Sequence, residues 1–164
     1  MYCETIIVIG RRLVHLDNNL TNLDHGECRH LIGMRLPDIT LLTTDGMQIN
    51  LAKEDGITVI FCYPMTSRPG IQMPTGWDDI PGARGCTPQC CSYRDRYKDL
   101  EELGASVYGI STQKTEYQKE MANRLRLPFL IMSDSKFEFC ATLRIPTFYV
   151  DGMKLMQRVT LIAR

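Results

Sequence analysis

Residues Pro81-Gly-Ala-Arg-Gly-Cys86-Thr-Pro-Gln-Cys-Cys91 pass from a glycine-rich turn straight into a helical pattern. Cys90, Tyr93, Tyr97 and Leu100 recur at i, i+3, i+7 and i+10, which predicts an amphipathic helix over Thr87–Leu103. Pro88 suits the first helical turn, so Cys86 falls at or beside the helix N-terminus. Unpaired backbone N–H groups and the positive end of the helix dipole gather there and favour a thiolate. Such positions raise cysteine acidity, and the thiolate is the nucleophile. Cys86 is therefore the candidate reactive cysteine, weighed against the ordinary fate of cysteine as an inert buried thiol.

Working outward, Ser67–Pro81 carries Pro69, Gly70, Pro74, Gly76 and Pro81 within fifteen residues, which no helix or strand survives. A loop of that length inside a domain is often functional. Trp77 within it either covers the site or pins the loop. Before the loop, Ile57–Tyr63 reads as a strand buried on both faces. Thr40–Leu42 and Gln48–Leu51 flank Asp45-Gly46 as a hairpin. Beyond the helix, Ala105–Ser111 reads as a strand, Thr115–Leu125 as a helix, Pro128–Met132 as a strand and Ser135–Leu143 as a short helix. Thr147–Val150 and Leu155–Ile162 read as strands around Asp151-Gly152. Strands alternating with helices predict an α/β fold with a mixed, mainly parallel central sheet flanked by helices. Residues 1–32 read as a peripheral extension, and residues 33–164 as one domain.

The 164 residues suit a single domain, and 44% apolar content supports a packed core. With 19 basic and 19 acidic residues, the chain lacks the positive field expected of a nucleic-acid binder. No stretch approaches the ~20 apolar residues of a membrane span. Near the N-terminus only Ile6–Ile9 is continuously apolar, and Glu4 sits where a signal peptide would be basic. A cytoplasmic location is expected. Seven cysteines, an odd number without an export signal, argue against a disulfide framework. Cys86, Cys90 and Cys91 do not have the paired spacing of a zinc site, and no metal or cofactor is expected. His25-x-x-Cys28-x-His30 lacks a partner pair and reads as part of a solvated extension. Cys62, Cys90 and Cys140 read as core thiols. The charged segment Glu116–Arg126 reads as a solvated helix face with i,i+4 pairs.

From about Gly33 to Arg164 the chain resembles the peroxiredoxins, the alkyl hydroperoxide reductase and thiol-specific antioxidant superfamily, and among them the bacterioferritin-comigratory subgroup. The resemblance rests on Met34-Arg-Leu-Pro-Asp-Ile-Thr-Leu with Asp45-Gly46, on Phe61-Cys-Tyr-Pro64, and on Gly85-Cys86-Thr87-x-Gln89 followed by Cys91. Tyr93-Arg-Asp95, Gly109-Ile-Ser-Thr-Gln113 and Leu127-Pro-Phe-Leu-Ile-Met-Ser-Asp134 continue it in family order. It implies a thioredoxin-like fold of peroxiredoxin type. It also implies a thiol peroxidase that reduces hydrogen peroxide and organic hydroperoxides and is recycled by thioredoxin or a similar dithiol. The other reading is a degenerate relative that senses or binds through its thiols.

The resemblance makes Cys86 the peroxidatic cysteine and Cys91, five residues on, the resolving cysteine. Arg158 matches the arginine beside the thiolate, and Gln89 a polar support. The family places proline and threonine seven and three residues before the peroxidatic cysteine, where Asp79 and Ala83 stand here. Pro64-Met-Thr66 looks like the displaced pair, so either Thr66 folds back or the site works with less help. Residues five apart on a helix have Cα atoms roughly 8–9 Å apart, whereas disulfides need less than about 7 Å. A Cys86–Cys91 bond therefore needs the first turn to unwind. Cys90, nearer along the helix, is the other resolving candidate, but it lies on the stripe of Tyr93, Tyr97 and Leu100 and reads in preference as a core thiol. In the family, the strand equivalent to Leu155–Ile162 continues into another strand and a helix. The sequence stops at Arg164, which implies an uncovered sheet edge, and hence either a piece of a longer protein or a homodimer that covers the gap.

Overall fold

The β-branched and aromatic run Ile57–Cys62 forms β4, buried from Thr58 onward, the third strand across a seven-stranded sheet. The computed structural model describes residues 5–9 and 28–164. With strands numbered in chain order, β4 pairs in parallel with β5 (Ala105–Ser111), which pairs in parallel with β6 (Leu130–Ser133). On the far side of β6 lie the hairpin strands β2 (Thr40–Thr43) and β3 (Gln48–Asn50), both antiparallel to their neighbours. On the other flank of β4 runs antiparallel β9 (Val159–Ala163), followed by β1 (Thr5–Ile9) in parallel.

The period-2 alternation of β4 divides the core. Val59, Phe61 and Tyr63 face one side, and Ile60 and Cys62 the other. The first side is covered by α1 (Cys86–Asp95), α2 (Tyr97–Glu102) and α3 (Thr115–Leu125), with Cys86, Cys90 and Met121 in its cluster. Tyr93 stacks on Phe61 at 4.4 Å and 9°. The second side is covered by α4 (Glu138–Leu143) and a helical turn at Arg29–Leu31, which bring Phe139, Leu143 and Leu31. Gly109 stands opposite Phe61, and a Cβ there would lie 2.5 Å from Ile131 and 2.7 Å from Phe61. Only glycine permits that approach.

Five expectations need correction. The helix expected over Thr87–Leu103 breaks at Arg96 (φ −107°, ψ 9°), giving α1 and α2. The bend keeps Tyr97 in contact with Phe129, ring centroids 5.9 Å apart. Leu155–Ile162 is two strands rather than one. β8 (Met153–Met156) pairs with β7 (Thr147–Val150) in a separate ribbon, and the chain changes sheets at Gln157-Arg158 before β9. The Gln157 N–H bonds Pro146 O at 2.7 Å across that corner. Ile6–Ile9, inside the expected peripheral extension, belongs to β1 of the central sheet, in register from Thr5↔Val159 to Ile9↔Ala163. Strand β9, whose edge was expected to be bare, is thereby flanked on both sides. Cys28 is buried, and His30 Nε2 donates to Leu143 O at 2.9 Å, so these two are packed rather than solvated. His25, Cys3 and the rest of the expected extension, residues 1–4 and 10–27, lie outside the described residues.

Smaller shifts have local causes. Helix α4 starts at Glu138 rather than Ser135 because buried Asp134 accepts from the Phe139 and Cys140 N–H groups, at 3.0 and 2.8 Å. On α3, Glu120 and Arg124 pair at i,i+4 with 2.8 Å, while buried Gln118 beneath them donates to Met132 O at 2.9 Å. Among the described residues, no helix is long and apolar enough to cross a membrane.

Candidate active site

Gly85 adopts φ +100° immediately before the first residue of α1, a conformation that costs other residues roughly 1–2 kcal/mol. The turn closes with Gln89 N–H on Gly85 O at 2.8 Å. Cys86 is thereby placed in the first turn with its side chain pointing inward, 4% exposed. Its Sγ lies 3.5 Å from Ala83 O.

Arg158, 7% exposed, reaches the same sulfur from the corner between β8 and β9, its Nη2 3.2 Å from Cys86 Sγ. The same Nη2 donates to Gly82 O at 3.1 Å and Arg84 O at 3.0 Å, and Nη1 donates to Gln89 Oε1. Carbonyls of the glycine-rich turn thus serve as acceptors for a buried guanidinium, which ties the turn to the sheet. Arg158 Nε is buried without a partner among the described residues. The structure therefore links three of the expected residues, with Arg158 on the Cys86 sulfur and Gln89 on Arg158.

Burial, the largest influence, pushes the Cys86 thiol above the ordinary cysteine range. The Arg158 charge, the Met65 backbone N–H and the Arg158 hydrogen bond act the other way without overcoming it. The acidic thiol expected from helix position alone is thus offset by desolvation in the closed site. Cys90, wholly buried one turn on, is pushed up strongly by burial and packs with Tyr63 and Phe61 as a core thiol. Cys91 is half-buried on the same helix.

Cys86 opens onto a cavity of about 360 Å³ whose walls include Met65, Thr66, Met73, Trp77 and Pro88. Thr66 is therefore brought to the site, although the Ser67–Pro81 loop intervenes in sequence. Gln113 holds it there. Thr66 N–H donates to Gln113 Oε1 at 2.9 Å, and Gln113 Nε2 donates back to Thr66 O at 2.9 Å. The Thr66 hydroxyl points to Gln113 Oε1 at 3.4 Å. Trp77 both walls the cavity and pins the loop, buried in a cluster with Ala83, Val150 and Leu155 and tilted against Phe148 at 6.1 Å. Arg84 and Asp78 pair across the loop's exposed side.

Sequence reasoning missed the Met65 amide and the Gly82 and Arg84 carbonyls, because backbone groups leave no residue-type signal. Gln113 stood inside a quoted motif without a role, and only its contact with Thr66 supplies one.

A profile of the Redoxin family matches residues 31–164, most of the chain. The chain belongs to the Redoxin family. It is 33% identical over 103 residues to the chloroplastic peroxiredoxin Q of Oryza sativa subsp. japonica, covering 62% of this chain and 41% of that protein. It is 33% identical over 110 residues to peroxiredoxin bcp1 of Schizosaccharomyces pombe, covering 65% and 48%. The chain thus spans under half the length of these relatives. Peroxidoxin BcpB from Mycobacterium tuberculosis superposes with a TM-score of 0.58 at 27% identity, over 76% of this chain and 71% of that one. Peroxiredoxin Q from Xanthomonas campestris gives 0.60 at 21% identity, over 77% and 76%. The fold is the thioredoxin-like fold of peroxiredoxin type.

Proposed function

We propose that the protein is a thiol peroxidase that uses Cys86 to reduce hydrogen peroxide and organic hydroperoxides. The observation that carries the reading is the Arg158 guanidinium 3.2 Å from Cys86 Sγ, at the inner end of a cavity. A cation there stabilises the thiolate and the negative charge that develops on the peroxide oxygens. Cys86 loses its proton to solvent, and its sulfur attacks the distal peroxide oxygen. An S–O bond forms as the O–O bond breaks, and the departing hydroxide or alkoxide takes up a proton. The products are water or an alcohol and the sulfenic acid of Cys86.

Gln89 is a positioning residue, holding Arg158 Nη1. Thr66 borders the peroxide, held by Gln113. Cys91 then attacks the sulfenic sulfur, releasing water and leaving a Cys86–Cys91 disulfide, once the first turn of α1 unwinds. Thioredoxin or a similar dithiol supplies the two electrons that restore both thiols, in a thiol-reducing compartment such as the cytoplasm. The relatives named peroxiredoxin Q support this reading. The burial that pushes the Cys86 thiol up favours a second reading, a slow thiol redox sensor of the same fold.

Peroxide consumption with a thioredoxin system, comparing the parent with Cys86→Ser, tests the proposal. Turnover should vanish in the variant, and trapped sulfenic acid should map to Cys86. A label on Cys28 or Cys140 with Cys86 still reduced would sink the assignment. Stoichiometric oxidation of Cys86 without turnover would favour the sensor.

A further inference from the structure

Two methionines, Met65 and Met73, stand in the wall of the cavity onto which Cys86 opens, together with Thr66 and Trp77. Met65 also turns its backbone N–H to the Cys86 sulfur, so its side chain springs from the same backbone that braces the reactive thiol. We infer that the Met65 and Met73 thioethers are a second, slower peroxide acceptor, whose conversion to sulfoxide turns the site down when peroxide outruns the reduction of Cys86. The inference rests on the peroxidase reading for the peroxide that enters the cavity, and on the cavity's own walls for the acceptor.

A thioether sulfur carries no proton to lose. The burial that holds back ionisation of Cys86 therefore exerts no such hold on Met65 and Met73. In the transfer, the sulfur lone pair attacks the distal peroxide oxygen. An S–O bond forms as the O–O bond breaks, and the proton of the attacked oxygen passes to the departing one. The thioether is oxidised by two electrons to a sulfoxide, and the peroxide is reduced to water or an alcohol. Arg158, at the inner end of the cavity, stabilises the charge that develops on the departing oxygen. Once Cys86 is held as a sulfenic acid or a disulfide, further peroxide in the cavity meets these two sulfurs. Both residues are half-buried, so exposure does not single them out. Met47 and Met153, 55% and 38% exposed, are the better targets for peroxide in bulk water. The packing makes the change consequential, because Met65 and Met73 lie against the cluster of Trp77, Ala83, Val150 and Leu155 that pins the loop. A sulfoxide sets a polar oxygen in that apolar wall, which is costly unless it is hydrogen-bonded. It draws a donor from Thr66 or Arg158, or it loosens the packing of Trp77, and each weakens the grip on a peroxide. Sulfoxide reductases, one for each epimer, return the thioether, so the change is reversible.

Two measurements test this. In Cys86→Ser, hydrogen peroxide is added without reductant, and sulfoxide at each methionine is followed by peptide mass spectrometry. Met65 and Met73 should oxidise at least about tenfold faster than Met47, because a charge placed at a developing oxyanion changes rates by that much and more. Arg158→Leu in the same background should abolish the lead and leave the Met47 rate as it was. If that double variant loses its native near-UV circular dichroism, the ranking in Cys86→Ser decides alone. Sulfoxide ranked by exposure, with Met47 ahead of Met65 and Met73, would overturn the inference and leave a parent that turns peroxide over as a peroxidase. The second measurement treats the parent with excess peroxide, then reads turnover and the fluorescence of Trp77, the single tryptophan, after repair. Dithiothreitol should restore part of both, and adding sulfoxide reductases for both epimers should restore more. No gain from the reductases would overturn the inference. A parent without turnover, in which Met65 and Met73 still lead in the Cys86→Ser background, would remove the peroxidase reading and leave the acceptor pair standing.

Discussion

Replacing Arg158 by methionine removes the guanidinium that touches Cys86 Sγ while keeping a long apolar stem. In the parent, that guanidinium offers the thiolate form a charge-assisted hydrogen bond of 3.2 Å, in a site where Cys86 is 4% exposed. Hydrogen bonds to charged groups contribute about 1.5–3 kcal/mol, and every ~1.4 kcal/mol is tenfold in population or rate. The thiolate fraction at neutral pH, and with it the rate of peroxide reduction, should fall roughly 10–200-fold. Because the bond favours the charged form, its removal moves Cys86 reactivity toward higher pH, adding to the upward push of burial. The assay is alkylation of Cys86 by iodoacetamide across pH, resolved by peptide, beside single-turnover peroxide consumption. Arg158→Lys, which keeps a charge but not the fork that reaches Gln89 and the turn carbonyls, should fall between. Arg158→Met also strands the Gly82 and Arg84 carbonyls, so near-UV circular dichroism must first show a native core. A folded variant whose alkylation profile and peroxide rate stay within twofold of the parent would refute the electrostatic role.

Peptide mapping after one equivalent of peroxide should find a Cys86–Cys91 link within one chain, with loss of helical signal as the first turn of α1 unwinds. A Cys86–Cys90 link that persists in Cys91→Ser would overturn the choice of resolving cysteine. Gly109→Ala should destabilise the fold by about 1–3 kcal/mol in urea, because the new Cβ meets Ile131 and Phe61. A change under about 0.5 kcal/mol would show that the sheet yields more easily than its packing implies. Burial pushes the Cys140 thiol up to about 11, against 9.0 for a free thiol. The unfolded chain therefore ionises first, and stability present below about pH 9 is lost as pH rises toward 11. Thermal melts in that range should show a smaller alkaline loss for Cys140→Ala than for the parent, and identical slopes would refute the assignment.

Local pattern was enough for much of the fold. The limits of β5 and α3, and the hairpin about Asp45-Gly46, followed from periodicity and turn residues, since these elements satisfy their own hydrogen bonds within short stretches. Cys86 stood out because a glycine turn running into a proline-bearing helix is a local signal. Motifs in family order likewise brought Gln89 and Arg158 into consideration before any distance was known. Three matters lay beyond local pattern, each for a nonlocal reason. Leu155–Ile162 reads as one apolar strand, yet its two halves bond to different partners, and the corner so made is what aims Arg158 at Cys86. Ile6–Ile9 has the composition of a strand, but only pairing with β9 gives it a place. Thr66 and Cys86 are separated by the loop of prolines and glycines, and their meeting depends on Gln113, two residues beyond the end of β5. The acidity of Cys86 is the sharpest case. Helix position alone favours a thiolate, whereas the packing that closes over the sulfur favours the thiol. Desolvation depends on every neighbour that excludes water, which only the assembled tertiary structure supplies.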